Sequence, residues 1–235
     1  MTQAEAVRRG YRHKNLLFWL GMLDALMDPV LPTDRVIDWG CGHGLFLQLL
    51  YEVAPYRSGA GVERDQEALA TARQTFADAH PDWPIAFHTP DEYEMLPERL
   101  PADVIFCQEI IWMNSDLAAL AATLHRHLRD GGCAYATMGS HPGNPLWAHR
   151  KGLIEAGGTG THSYALDEVA RAFSAAGFAV GLRRLPLPGF VMYHPDDTPR
   201  NARSLEELVH ATTEHKMLFY FGKGDSVTRS ATLQG

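Results

Sequence analysis

The chain has 235 residues, 46% of them hydrophobic, so it can bury one sizeable core and does not exceed the length of a single α/β domain. Its net charge of −7 gives no general attraction to phosphate backbones, and we expect no nucleic-acid partner. Its 3 cysteines are too few and too unevenly spaced for a disulfide framework or a paired metal site, which favours the reducing cytoplasm and predicts no metal. No stretch approaches the roughly 20 apolar residues that span a bilayer, so we expect no membrane partner.

The N-terminal segment has a basic stretch followed by an apolar run, as an export signal does. Asp24 and Asp28 interrupt the chain just after the apolar run, and no small-residue cleavage site appears. The segment instead predicts an amphipathic helix that lies on the core. The apolar stripe of that helix consists of Leu16, Leu20, Leu23 and Met27.

Short apolar runs then alternate with segments of helical spacing. In chain order we predict strand "RVIDW", helix "GLFLQLLYEVA", strand "SGAGVE", helix "DQEALATARQTFADAH", strands "PIAFH" and "ADVIFC", helix "DLAALAATLHRHL" and, after a turn at "RDGG", strand "CAYATM". Helix "LDEVARAFSAAG", strand "FAVGLRRL", a proline-containing insertion, helix "SLEELVHATTEH" and strand "KMLFYF" come next. The alternation predicts an α/β fold, a doubly wound, mostly parallel seven-stranded sheet with helices on both faces.

A run of alternating glycines comes directly after the first predicted strand. Gly40, Gly42 and Gly44 let the backbone turn tightly and approach a ligand, and the next helix presents free N–H groups. A phosphate-binding Walker loop would need a lysine after the last glycine, and the dinucleotide pattern would need a glycine where Leu45 stands. Neither usual phosphate site fits.

Two acids accompany the glycine run. Asp38 ends the first predicted strand and Glu63 ends the second. A carboxylate in the second position can accept hydrogen bonds from ribose hydroxyls. The pattern therefore favours a nucleoside that is bound without a phosphate.

The segment "VIDWGCGHG" resembles the first motif of class I S-adenosylmethionine-dependent methyltransferases, and "GAGVERD" is similar to their second. The resemblance spans roughly residues 36–181 and implies S-adenosylmethionine as the cofactor. In "DEYEMLP", similar to the loop after the third strand, either Asp91 or Glu92 would contact the adenine amino group. The cofactor-binding residues that the resemblance implies are Asp38, Gly40, Cys41, Gly42, Gly44, Glu63, Arg64, Asp91, Glu92 and Gln108.

We predict one domain over residues 1–235. It consists of an N-terminal helical cap (1–30), a cofactor-binding core (31–185), an insertion that caps the substrate (186–216), and the last strand with a tail (217–235). The acceptor pocket would come from the N-terminal helix, the loop over 141–164 and the insertion over 186–215, whose histidines and aromatic residues suit a small metabolite.

The function implied is methyl transfer to a small molecule by in-line displacement, in which the enzyme mainly aligns the reacting atoms. A non-catalytic scaffold or activator that binds S-adenosylmethionine, and a protein or RNA methyltransferase, are the alternatives. An NAD-dependent oxidoreductase is disfavoured by Leu45. The sequence leaves the oligomeric state open.

A general base is needed only where the acceptor must lose a proton. His141 is the first candidate because it lies just beyond the predicted end of the fifth strand, and His13 competes for the role. Gln108 and Glu109 should face the ligand crevice after the fourth strand, where Glu109 is a further catalytic candidate, although capping a helix is an equal alternative. Trp112, at the same edge, could line the substrate or the core.

Flexible glycines occur in "EAGGTGTHSY". They predict that this segment, together with the residues before Leu16, becomes ordered over bound ligand.

Overall fold

The computed structural model describes residues 15–97, 100–193 and 202–224. The strands are β1 (Arg35–Trp39), β2 (Ser58–Val62), β3 (Ile85–His88), β4 (Ala102–Gln108), β5 (Leu128–Met138), β6 (Phe178–Arg184) and β7 (Met217–Lys223). The helices are α1 (15–24), α2 (Leu45–Val53), α3 (Gln66–Ala79), α4 (Pro90–Glu94), α5 (Leu117–His127), α6 (Trp147–Ala156), α7 (Leu166–Ala175) and α8 (Leu205–Glu214). A short 3-10 turn covers Ile111–Met113.

The strands form one seven-stranded sheet in the order β3-β2-β1-β4-β5-β7-β6. β7 runs antiparallel to both β5 and β6, whereas the pairs among β1 to β5 are parallel. The predicted mostly parallel seven-stranded sheet is therefore confirmed. The strand order reverses between β1 and β4, which is the point where ligands bind in sheets of this kind.

Both faces of the sheet are covered by apolar helix surfaces. One core packs residues of α1, α2 and α3 against the sheet, and the other packs α5 and α7. β4 shows the reason, because Val104 and Phe106 enter the first core while Ile105 and Cys107 enter the second. A strand that is apolar on both faces is expected in the middle of a parallel sheet.

Side chains cap four of the helices at their N-termini, where the first backbone N–H groups lack helical partners. The capping residues are Asp65 for α3, Thr89 for α4, Asp116 for α5 and Ser204 for α8. These assignments exclude a capping role for Gln108 or Glu109 at the next helix, since Asp116 fills that position.

Two local predictions need correction. Leu16, Leu20 and Leu23 of the predicted stripe pack against the first core beside the buried Trp19 and Met22, whereas Met27 is 54% exposed because the described helix ends at residue 24. The fifth strand begins at Leu128, and "RDGG" lies inside it as an irregularity where the pairing with β4 changes register.

α1 packs against the start of the insertion. A Cβ on Gly21 would lie 1.9 Å from the carbonyl oxygen of Pro186, so only glycine allows this contact. The N-terminal helix and the insertion therefore meet, as the predicted acceptor pocket requires. None of the helices in the described part of the chain has the length and apolarity that crossing a membrane would need.

Candidate functional site

The glycine run after β1 forms a left-handed turn, with φ of 84° at Gly40, 51° at Gly42 and 75° at Gly44. The backbone N–H groups of Gly40 and Cys41 donate to the carbonyl of Val62, at 2.8 and 3.2 Å, which joins the turn to the end of β2. A Cβ on Gly44 would lie 2.6 Å from the ring of Phe87, whereas a Cβ on Gly42 would meet nothing within 4 Å. Gly44 is therefore required by packing, and Gly42 borders open space.

Asp38 is the last residue but one of β1, just before this turn, and is only 2% exposed. Its Oδ1 atom has no hydrogen-bond partner among the described residues. Burial, with a further contribution from Glu63, raises the pKa of Asp38 to about 8, and a hydrogen bond with Gln108 acts in the opposite direction. A buried acceptor without a partner is costly, so this atom suits a ligand that brings a donor or a positive charge.

Glu63, after β2, is bonded to the glycine turn. Its Oε2 accepts from the backbone N–H of Gly42 at 2.8 Å, and its Oε1 accepts from that of Asp65 at 2.9 Å. A carboxylate has about four lone-pair sites, so about two remain for ribose hydroxyls. Arg64 is exposed beside it, and Cys41 is buried with its thiol against the carbonyl of Gly42.

The third cofactor segment is a helix rather than the expected loop. Thr89 and Glu92 form a reciprocal capping box around Pro90 at the start of α4, a signal that the letters "TPDE" carry and sequence reasoning missed. Glu92 is further paired with Arg73, and its pKa is lowered mainly by the hydrogen bond from the Thr89 backbone. Asp91 is exposed in the same turn. Because the cap occupies Glu92, Asp91 is the better candidate for the adenine contact.

Glu109 comes directly after β4, on the other side of the crevice, and has a left-handed backbone, with φ 55°. Such a conformation costs a non-glycine residue about 1–3 kcal/mol. Its Oε1 accepts from the backbone N–H of Gly139 at 2.9 Å and pairs with Nζ of Lys216 at 2.6 Å, while its Oε2 accepts from the Ser140 hydroxyl at 3.2 Å. These bonds join the ends of β4 and β5 to the residue before β7.

His141 lies on the same side but is 3% exposed. Its Nε2 is 2.8 Å from the carbonyl oxygen of His215, which makes Nε2 the protonated nitrogen. The ring therefore joins the loop after β5 to the end of α8, and its catalytic role stays a prediction that this geometry does not favour. His13, the competing candidate, lies outside the described residues.

The loop after α6 is fastened across the crevice. The backbone N–H of His162 donates to the Trp112 carbonyl at 2.8 Å, and the Tyr164 hydroxyl donates to the Asn114 carbonyl at 2.8 Å. Trp147 packs on Trp112 with ring centroids 5.9 Å apart. Trp112 is half-buried, and whether it lines the substrate stays a prediction.

A family model described as "Methyltransferase domain" matches residues 11–181, which is most of the chain. The chain belongs to the methyltransferase domain family. A chain in the complex between the Haloferax volcanii Trm112 methyltransferase activator and a methyltransferase resembles this domain with a TM-score of 0.77 at 20% identity, covering 94% of this chain and 96% of that one. The S-adenosylmethionine-dependent methyltransferase from Mesorhizobium loti gives a TM-score of 0.65 at 20% identity, covering 88% and 98%. The predicted class I fold and S-adenosylmethionine cofactor of this methyltransferase domain are confirmed.

A relative in sequence is the trans-aconitate 2-methyltransferase of Azoarcus sp. (strain BH72), which is 33% identical over 104 residues. The match covers 44% of this chain and 38% of that relative. The methyltransferase domain described here thus corresponds to less than half of that protein.

Proposed function

We propose that this protein transfers the methyl group of S-adenosylmethionine to a small-molecule acceptor by in-line displacement. The observation that carries the proposal is that a buried Asp38 oxygen without a hydrogen-bond partner among the described residues lies near the open space at Gly42, at the point where the strand order reverses. This arrangement offers a carboxyl acceptor and accessible backbone to a ligand.

The roles of the cofactor residues are set by their placement. The turn at Gly40, Gly42 and Gly44 lets the backbone approach the methionine portion, and Asp38 would accept from its amino group. The free lone pairs of Glu63 would accept from the ribose hydroxyls, and Asp91 from the adenine amino group. The bound cofactor supplies an already activated methyl group on a sulfonium, so the protein chiefly positions the acceptor.

A small acceptor is supported by how the crevice is covered. α1 contacts the start of the insertion, and the loop over 161–164 is hydrogen-bonded to the turn after β4, so the segments predicted to form the acceptor pocket are held to the core. The relative in Azoarcus is named for a small metabolite, trans-aconitate. Cys41, Cys107 and Cys133 are buried and form no disulfide, which supports a cytoplasmic location.

The test is calorimetry with S-adenosylmethionine, S-adenosylhomocysteine and NAD, and then a screen of metabolite pools for release of S-adenosylhomocysteine. We expect both sulfur nucleosides to bind, NAD not to bind, and a metabolite fraction to be methylated. Tight NAD binding would contradict the cofactor assignment. Cofactor binding without turnover, unless protein or RNA is supplied, would favour the scaffold or macromolecular alternatives.

A further inference from the structure

Glu109 is flanked by two cations. Lys216 is paired with it directly, and Nζ of Lys216 also lies 4.8 Å from the centroid of the Phe18 ring. The second cation is Arg150, in the first turn of α6, which is half-buried and whose electrostatic partner is Glu109. Within residues 15–97, 100–193 and 202–224 the Arg150 guanidinium has no ion pair and no hydrogen bond.

Among the described residues around Glu109, the charges do not cancel. Burial lowers the pKa of Arg150 and Glu109 raises it, but a guanidinium stays protonated in proteins. The pKa of His215 is lowered, mainly by burial, so it adds no charge at neutral pH. Two positive groups therefore face one carboxylate, and that carboxylate already receives three donors.

Two of the carboxylates on the neighbouring helix α8, Glu207 and Glu214, are paired with cations outside that helix, and the third, Glu206, is exposed. Arg203 and Glu207 form an ion pair at 2.6 Å, as do Arg184 and Glu214. His149, beside Arg150 in the chain, lies in the field of the same Glu207. None of these described groups offsets the positive charge of Arg150.

Neither of the two described candidates for a general base, Glu109 and His141, is free to take a proton from an acceptor. Both oxygens of Glu109 are engaged, and His141 is buried with its Nε2 on a backbone carbonyl. A phenol, an alcohol or an ammonium group would need such a base to become nucleophilic. A carboxylic acid would not, because it is ionised at neutral pH.

We propose that Arg150 is the specificity-determining residue of the acceptor site and that the acceptor is a carboxylic acid. The inference rests on the proposed function and names the class of its substrate. A guanidinium matches a carboxylate with two parallel hydrogen bonds, and a half-buried one that has no hydrogen bond or ion pair among the described residues is suited to anchor a ligand.

The chemistry balances without a base. A carboxylate oxygen of the acceptor forms a bond to the methyl carbon while the bond from that carbon to sulfur breaks. The electron pair of the broken bond goes to sulfur, so an anion and a cation become a neutral methyl ester and a thioether. No proton moves.

The experiment measures binding to the protein saturated with S-adenosylhomocysteine, which requires no turnover. The probes are trans-aconitate, succinate and benzoate, each compared by calorimetry with its carboxamide. We expect at least one carboxylate to bind about tenfold or more tightly than its amide, as a charge-assisted hydrogen bond would give. Arg150→Gln should remove this preference. Arg150→Lys keeps the positive charge but cannot donate two parallel hydrogen bonds, so it should retain part of the preference.

The matched control is Arg171→Gln, which removes the same charge from an exposed position on α7. It should leave all affinities unchanged, and all three variants should keep the wild-type affinity for S-adenosylhomocysteine. Equal binding of acids and amides, or an undiminished preference in Arg150→Gln, overturns the inference. A parallel loss of S-adenosylhomocysteine affinity in Arg150→Gln also overturns it, because Arg150 would then hold the cofactor. Failure of the wild type to bind S-adenosylhomocysteine would instead contradict the proposed function itself.

Discussion

The cofactor side and the acceptor side of the crevice are built in different ways. On the cofactor side, Asp38, Glu63 and the glycine turn come from two adjacent strand ends, and an oxygen of Asp38 is left without a described partner. On the acceptor side, Glu109 is joined to Lys216, which is distant in the chain, and its carboxylate is fully engaged. The first side is prepared for a ligand that brings donors, and the second holds its own shape with internal bonds.

Because of this difference, substitutions that affect ligand affinity should be distinguishable from substitutions that affect the stability of the fold. A change on the cofactor side that borders open space should alter affinity and leave the fold intact. A change at a packed position should alter the free energy of unfolding first. Four experiments test that separation, from the largest expected effect to the smallest.

Gly42 and Gly44 form a matched pair, because both have left-handed backbones in one turn and differ in the space around them. Gly42→Val should abolish S-adenosylmethionine binding in a folded protein, since its side chain would fill the open space. Gly44→Ala should instead lower the free energy of unfolding by about 2–4 kcal/mol, from overpacking against Phe87 together with left-handed strain. Thermal unfolding and calorimetry on both variants give the comparison. Undiminished binding by a folded Gly42→Val protein would contradict the site.

Glu63→Ala should weaken S-adenosylmethionine binding by about 1.5–3 kcal/mol, roughly 10- to 150-fold, through the loss of charge-assisted bonds to ribose. The variant also removes the bond to the Gly42 N–H, so its melting temperature must be measured beside its affinity. Glu67→Ala is the control, since Glu67 is an exposed carboxylate in the first turn of α3 and has no assigned role in the site. Wild-type affinity in a folded Glu63→Ala protein would remove Glu63 from the site.

Asp38 makes the stability of the ligand-free protein depend on pH. Its pKa is raised from 3.8 to about 8 on folding, so between these values the folded state holds a proton that the unfolded state has released. Stability then falls as pH rises through this window, by up to about 1.4 kcal/mol per pH unit. Asp38→Asn should lack this contribution. Chemical denaturation of both proteins at several pH values checks it, and parallel pH profiles would contradict the raised pKa.

The predicted mobile segments should show the smallest effect. Residues 157–160 are exposed, whereas 162–164 are fastened to the turn after β4, so added protection from hydrogen exchange should concentrate in the first stretch when product and acceptor bind. The residues before Leu16 should gain protection as well. Exchange that is unchanged by ligand in both segments would identify them as ordinary surface loops.

The sequence by itself determined the fold class and the cofactor motif. Strand runs such as "RVIDW" and "ADVIFC" are apolar on both faces, which only a sheet covered twice can bury, and the glycine spacing after Asp38 is a local property of one turn. The signal for helix α4 is also local, because its capping box lies within four consecutive residues. The prediction of a loop in this segment missed it.

Only the tertiary structure decided the acceptor side. Glu109 and Lys216 lie far apart in the chain, and they form an ion pair because β4, β5 and β7 are neighbours in the sheet. Arg150, on α6, lies in the field of the same Glu109. The burial of His141 and the exposure of Met27 likewise depend on which parts of the chain pack over them. Local periodicity specifies elements, whereas the partners of a buried charge are set by contacts between residues far apart in the chain.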